Sequence, residues 1–166
     1  MEFGRSVMPS NLPPTSDSSP LPPTAARSAL MGRIRSVDTK PELVVRRMLH
    51  RLGYRYVLHD KRLPGKPDLV FPLRKAVIFV DGCFWHGHDC RLGSKPKTNA
   101  AFWQNKILGN KRRDMRHRRT LRKLGWRVAT VWECSTRLGD LSRLERRLVR
   151  FLEAPRSLER KQGEVV

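Results

Sequence analysis

Val77-Ile78-Phe79-Val80-Asp81-Gly82-Cys83-Phe84-Trp85-His86-Gly87-His88-Asp89-Cys90 is the stretch on which the reading of this chain turns. It starts with an apolar run rich in β-branched residues, the composition of a buried strand. Asp81 and Gly82 end that run. Two cysteines, two histidines and an adjacent Phe-Trp pair then share one turn-rich segment. Metal ligands, proton carriers and large flat hydrophobes together are more than ordinary packing requires.

Working outward, the buried strand Ala76–Val80 needs partners. Leu63-Pro64-Gly65-Lys66-Pro67-Asp68 is a turn by composition and leads into a second strand, Leu69–Phe71. Tyr54–Leu58 reads as another strand. Before it, Thr39-Lys40-Pro41-Glu42 opens a helix with Leu43, Val44, Met48 and Leu49 as its inward stripe, stopped by Gly53. Downstream, Thr98 or Asn99 caps a helix from Ala100 to Leu124 that ends at Gly125. Trp126–Glu133 is a further buried-type strand. Asp140 then opens an amphipathic helix with Leu141, Leu144, Leu148 and Leu152 on one side, ended by Pro155. The order helix, three strands, helix, strand, helix predicts an α/β fold, a mixed sheet flanked by helices. Residues 1–26, rich in Pro, Ser and Thr, read as a disordered arm. Ser28–Arg35 reads as a short helix or arm, residues 27–155 as one domain and 156–166 as a flexible tail.

The 166 residues carry 35 Lys+Arg against 15 Asp+Glu, a formal net charge of +20. Residues 1–27 balance Glu2 and Asp17 against Arg5 and Arg27, so the whole excess falls on the rest of the chain. A domain this basic repels itself, which fits a protein that faces a polyanion, with duplex DNA or structured RNA in front. A membrane partner is disfavoured: no stretch approaches the roughly eighteen apolar residues of a span, and there is no lipidation signal. Three cysteines cannot all pair within one chain, and the N-terminus lacks a secretory plan, so a reducing cytoplasm is expected.

Cys83, His88 and Cys90, joined by Cys134 after the later strand, make three sulfurs and one imidazole, a tetrahedral zinc set with no position left for water. Buried free thiols are the plain alternative, and His86 is a competing ligand. Phosphodiester hydrolysis wants a hard divalent cation held by carboxylates and carbonyl oxygens. Asp68 is the first candidate and Asp81 the second. Asp68 also reads as an ordinary turn aspartate, Glu42 as the far half of a capping box with Thr39, and Asp114 as a local ion-pair partner inside KRRDMRHRR. His86, unclaimed if His88 takes the zinc, is a candidate general base that Asp114 would orient. Phe84 and Trp85 can push between base pairs, with Trp103 as a partner and Phe102 assigned to the core. Lys111, Arg112 and Arg116, with their basic neighbours on one helix, are placed to meet phosphates.

These residues, in order from about Arg27 to Pro155, resemble the very-short-patch-repair (Vsr) DNA mismatch endonucleases, bacterial enzymes of the restriction-endonuclease-like superfamily. The markers are Arg27-Ser28 with Met31, Thr39-x-x-Glu42, LPGKPD ending at Asp68, VIFVDGCFWHGHDC, Phe102-Trp103, Asn110 with Asp114, and LGWRVATVWEC ending at Cys134. The resemblance implies a nick in one strand of duplex DNA, 5′ to the T of a T:G mismatch left by deaminated 5-methylcytosine. By this likeness Asp68 binds catalytic Mg²⁺ with help from the Val80 main-chain carbonyl, His86 moves a proton supported by Asp114, and Glu42 lies near the metal. Cys83, His88, Cys90 and Cys134 hold structural Zn²⁺. Phe84, Trp85 and Trp103 enter the stack from the major groove, and Met31 and Ile34 approach from the minor groove. A monomer is implied, acting on the nucleoid, with other mismatch-repair proteins downstream. The chain departs from the best-known pattern at Val80-Asp81, where that pattern has Thr-His. A nuclease without mismatch preference and a zinc-stabilised DNA-binding protein that never cleaves are the competing readings.

Overall fold

The computed structural model describes residues 37–94 and 98–155. The expectations for residues 1–26, for Ser28–Arg35 with Met31 and Ile34, and for 156–166 lie outside the described residues. The sheet has four strands, β1 (Val57–Leu58), β2 (Leu69–Phe71), β3 (Ala76–Asp81) and β4 (Arg127–Trp132), lying side by side in chain order. β1 with β2 and β2 with β3 are antiparallel; β3 and β4 are parallel, with Asp81 opposite Trp132. A parallel pair cannot be closed by a tight turn. The long helix α2 (Ala100–Lys123) therefore makes the crossover. Helices α1 (Lys40–Arg51), α3 (Glu133–Arg137) and α4 (Leu141–Glu153) complete the mixed α/β fold.

Side-chain alternation sends β2, β3 and β4 to two cores. Leu69, Phe71 and Ile78 pack with Val45 and Leu49 of α1 and with Leu144, Leu148 and Leu152 of α4. Val70, Val77 and Phe79 pack against Leu121 of α2 on the opposite face. Burying an aliphatic side chain of this kind contributes about 1.5–3 kcal/mol. The same parity decides the chemistry: Asp68 and Asp81 fall on the α2 side, in step with Val70, Val77 and Phe79.

Three local expectations change. Only Val57 and Leu58 of Tyr54–Leu58 join the sheet, because their partner β2 is itself just three residues long. Tyr54 instead turns inward and meets Phe71 edge-on, ring centroids 6.4 Å apart. The strand expected to reach Glu133 stops at Trp132, and α3 begins at once. At the start of α2 Asn99 has a φ of 53° and offers no side-chain cap. The other boundaries follow the sequence: Thr39 Oγ1 accepts from the Glu42 N–H, Asp140 caps α4 by accepting from Ser142 N–H at 2.8 Å, and Gly125 takes a φ of +77° after α2.

Candidate active site and metal centre

Helix α2 faces the sheet with Trp103, Ile107, Asn110 and Leu121, a row at alternating steps of four and three that continues through Asp114 and His117. The one acid in its basic run is thus on the inner row, directed to the sheet. Neighbours on a helix diverge by about 100°, so Phe102 and Trp103 cannot both turn inward. Trp103 is 7% exposed and Phe102 37%, which reverses the core assignment made for Phe102. Trp103 also does not stand on the surface; it backs the loop, 5.2 Å from the Phe84 ring and 6.1 Å from Trp85, with both of those half-buried.

That loop is pressed against α2. A Cβ at Gly87, where φ is +60°, would lie 2.5 Å from Ile107 Cγ2, so a glycine is required. Asn110 donates from Nδ2 to the Trp85 carbonyl at 2.9 Å and fixes the aromatic pair from the helix side. One residue on, His86 Nδ1 lies 2.5 Å from Asp114 Oδ2. A carboxylate only accepts, so Nδ1 carries the proton and Nε2 is left as the basic nitrogen.

Asp68, Val80, Asp81, His86 and Asp114 line one open cleft of about 350 Å³. Asp68 Oδ2 accepts from the Val80 N–H at 2.7 Å, and Oδ1 lies 3.8 Å from His59 Nδ1. Burial pushes the Asp68 carboxyl up to about 7; the Val80 N–H opposes this, while the nearby carboxylates of Glu42 and Asp81 add to it. Asp81 is 4% exposed and ion-paired with Arg118; its carboxyl is likewise raised, by burial first. Carboxylates near Asp68, in a cleft that Val80 also lines, are compatible with a hard cation such as Mg²⁺.

Glu42 does not complete a capping box. Its carboxylate, 1% exposed, turns inward to pair with Arg46 and stands 3.1 Å from His59 Nε2. Sequence reasoning missed His59 and Arg46, and grouped Arg118 with the basic residues of α2 without placing it in the cleft. His59 and Arg46 carry no local signal, and Arg118 was hidden among basic neighbours.

On the other side of the loop, Cys83, His88, Cys90 and Cys134 bring one ligand atom each within 4.8 Å of the others. His88 Nδ1 lies 3.6 Å from both Cys83 Sγ and Cys134 Sγ. A tetrahedral zinc with Zn–S of about 2.3 Å and Zn–N of about 2.0–2.1 Å requires an S···N edge of about 3.6 Å. Those two edges match, and the four-residue cluster is compatible with zinc. Trp-Glu-Cys serves this corner throughout: Trp132 stacks on His88 at 4.3 Å, Glu133 Oε2 accepts from the Cys83 N–H at 3.4 Å, and the Cys134 N–H points at Cys83 Sγ. Trp132 was also missed, although its place two residues before a ligand was a usable signal.

The chain matches the family model described as DNA mismatch endonuclease Vsr over residues 22–92. It is 52% identical over 127 residues to the Type II nicking enzyme V.XorIIP of Xanthomonas oryzae pv. oryzae, covering 76% of this chain and 92% of that protein. It is 43% identical over 113 residues to the DNA mismatch endonuclease Vsr of Escherichia coli, covering 68% and 72%. Among solved structures, the catalytic domain of a homing endonuclease aligns with a TM-score of 0.46 at 20% identity, over 69% of this chain and 94% of that one. The relatives define the class: a DNA endonuclease, a hydrolase acting on phosphodiester bonds. Within that class the chain belongs to the Vsr DNA mismatch endonuclease family. Among the described residues no helix is long and apolar enough to cross a membrane.

Proposed function

We propose that this protein nicks one strand of duplex DNA on the 5′ side of the T in a T:G mismatch, by Mg²⁺-dependent hydrolysis, and so starts very short patch repair. The observation that carries this reading is the convergence of Asp68 and the His86–Asp114 pair in one cleft, with the aromatic pair Phe84-Trp85 on the loop that supplies His86. Mg²⁺ held by Asp68 and the Val80 main chain would neutralise phosphate charge and favour ionisation of a water molecule. His86, fixed by Asp114 through Nδ1, takes a proton from the attacking water at Nε2. The new P–O bond forms as the bond to the leaving deoxyribose oxygen breaks, and that oxygen departs with the pair of electrons. Glu42 acts at a distance, through its contacts with Arg46 and His59.

Zinc on Cys83, His88, Cys90 and Cys134 is structural in this account: four protein ligands leave no place for substrate, and the site ties the β3 loop to the end of β4. Phe84 and Trp85 form the wedge and Trp103 its backing; unstacking a base step costs a few kcal/mol, least at a mispair. Lys111, Arg112 and Arg116, all exposed on α2, meet phosphates. A second reading, nicking at a fixed sequence without a mismatch, is favoured by the name Type II nicking enzyme carried by the Xanthomonas relative and by V.NmeAIP of Neisseria meningitidis, 46% identical over 132 residues.

Paired duplex libraries that differ only by T:G or C:G, flanked by randomised bases, separate the two. Mg²⁺-dependent nicks confined to the T:G library are the expected result; equal nicking of both removes the mismatch requirement, and cutting without Mg²⁺ removes the cation. In the same assay Trp85→Ala is expected to narrow the T:G preference by about tenfold or more while duplex affinity changes less, given stacking worth about 1–3 kcal/mol per base. Affinity lost without any loss of preference would make Trp85 a packing residue.

A further inference from the structure

We propose that Arg118, held by Asp81 in the wall of the cleft, stabilises the negative charge that builds on the scissile phosphate. The inference rests on the reading of this cleft as the site of phosphodiester hydrolysis. Arg118 behaves unlike the rest of its helix. Lys111, Arg112, Arg116 and Arg119 are exposed, whereas the Arg118 side chain is 18% exposed and turned toward the sheet. Asp81, at the end of β3, takes its Nη2. The Phe79 ring lies 5.2 Å from its guanidinium carbon and closes off one face. Its Nε is buried without a partner, and among the described residues its side chain makes no other hydrogen bond.

Arg118 lines the same cleft as Asp68 and His86. A planar fork can hold a carboxylate with one amine and present the other to a phosphate oxygen, which an ammonium group cannot do in one fixed geometry. A donor held in place before the reaction needs no reorganisation as charge develops, and partial burial strengthens its effect. Asp81 is then the positioning residue: it orients Arg118, and at rest it offsets a positive charge that would otherwise oppose a cation at Asp68.

The test uses the full-length protein, with single-turnover nicking at saturating duplex and Mg²⁺, duplex affinity, and thermal melting. Arg118→Met alone leaves Asp81 buried without its partner, so it is expected to melt lower. The double variant Arg118→Met/Asp81→Asn removes both charges. It is expected to melt within about 3 °C of the wild type and to bind duplex within about threefold, yet to nick about a hundredfold or more slowly, the usual cost of losing one preorganised donor. Arg118→Lys, with its charge but no fork, is expected to fall at least about tenfold in rate. A double variant that melts normally and nicks within about threefold of the wild type would make the pair purely structural and overturn the proposal. Should the double variant melt low, Asp81→Asn alone decides: a rate loss with unchanged duplex affinity supports the positioning role, and an unchanged rate overturns it. Asp68→Ala, assayed alongside, separates this inference from the reading beneath it. If Asp68→Ala is also unimpaired, hydrolysis lies elsewhere and both fall; if only the Arg118 variants are unimpaired, the inference alone falls.

Discussion

Asp68→Ala is expected to slow nicking by about a thousandfold or more while duplex binding stays measurable, because it removes the carboxylate that anchors the cation, and metal charge stabilisation is worth several kcal/mol. On the proposed reading DNA affinity comes from other residues, on the exposed face of α2, so binding and rate should separate. Turnover that survived would take Asp68 out of the chemistry. A second consequence concerns stability. Without metal the folded chain holds the Asp68 proton up to about 7, whereas an ordinary aspartate releases it at 3.8. Below 3.8 both states are protonated and the residue costs nothing. Between the two values the unfolded chain sheds its proton first, so stability falls as pH rises; above about 7 the whole cost is present, on the order of 4 kcal/mol. Asp68→Asn keeps an acceptor for the Val80 N–H but not the charge. In metal-free buffer it should melt above the wild type at pH 8, with the gap closing toward pH 5, and Mg²⁺ should raise only the wild type. Melting curves at both pH values, with and without Mg²⁺, check this; a variant no more stable at pH 8 would contradict a buried Asp68 whose charge is costly.

Cys134→Ala is expected to abolish stoichiometric zinc and to lower the melting temperature by on the order of 10 °C. Cys134 is the ligand that comes from the far side of β4. Without it the remaining three all lie on the single loop Cys83–Cys90, and the tie from that loop to the start of α3 is lost. The damage should reach catalysis indirectly, since the same loop carries His86 and the aromatic pair. Zinc content by atomic emission, read with melting curves, tests this. Unchanged zinc would refute the ligand set.

The strands around the cleft were legible because burial on both faces demands near-continuous apolar runs, and β3 obeys that rule closely. The Cys/His cluster was legible because every cysteine in the chain is a member of it. Phe102 was assigned to the core because composition does not reveal helical phase; only the row from Trp103 through Ile107 and Asn110 to Asp114 shows that Trp103 is the one of the two that turns inward. Glu42 was obscured by a true local signal. Its backbone N–H does meet Thr39, but burial of its carboxylate depends on Arg46 and on His59, which arrives from a different element. Arg118 was read only as one of the basic residues of α2: among so many exposed arginines, only the fold picks out the one that meets Asp81.

If Asp68 and His86 act on one phosphate in one step, a double-mutant cycle will show it. Single-turnover nicking would be measured for Asp68→Ala, for His86→Ala, expected to lose about a hundredfold to ten-thousandfold, and for the pair combined. Groups that work as a unit are not additive, so the double variant should be little slower than the worse single variant. Losses that simply multiply would mean that the two residues act independently, and would contradict the single-site account.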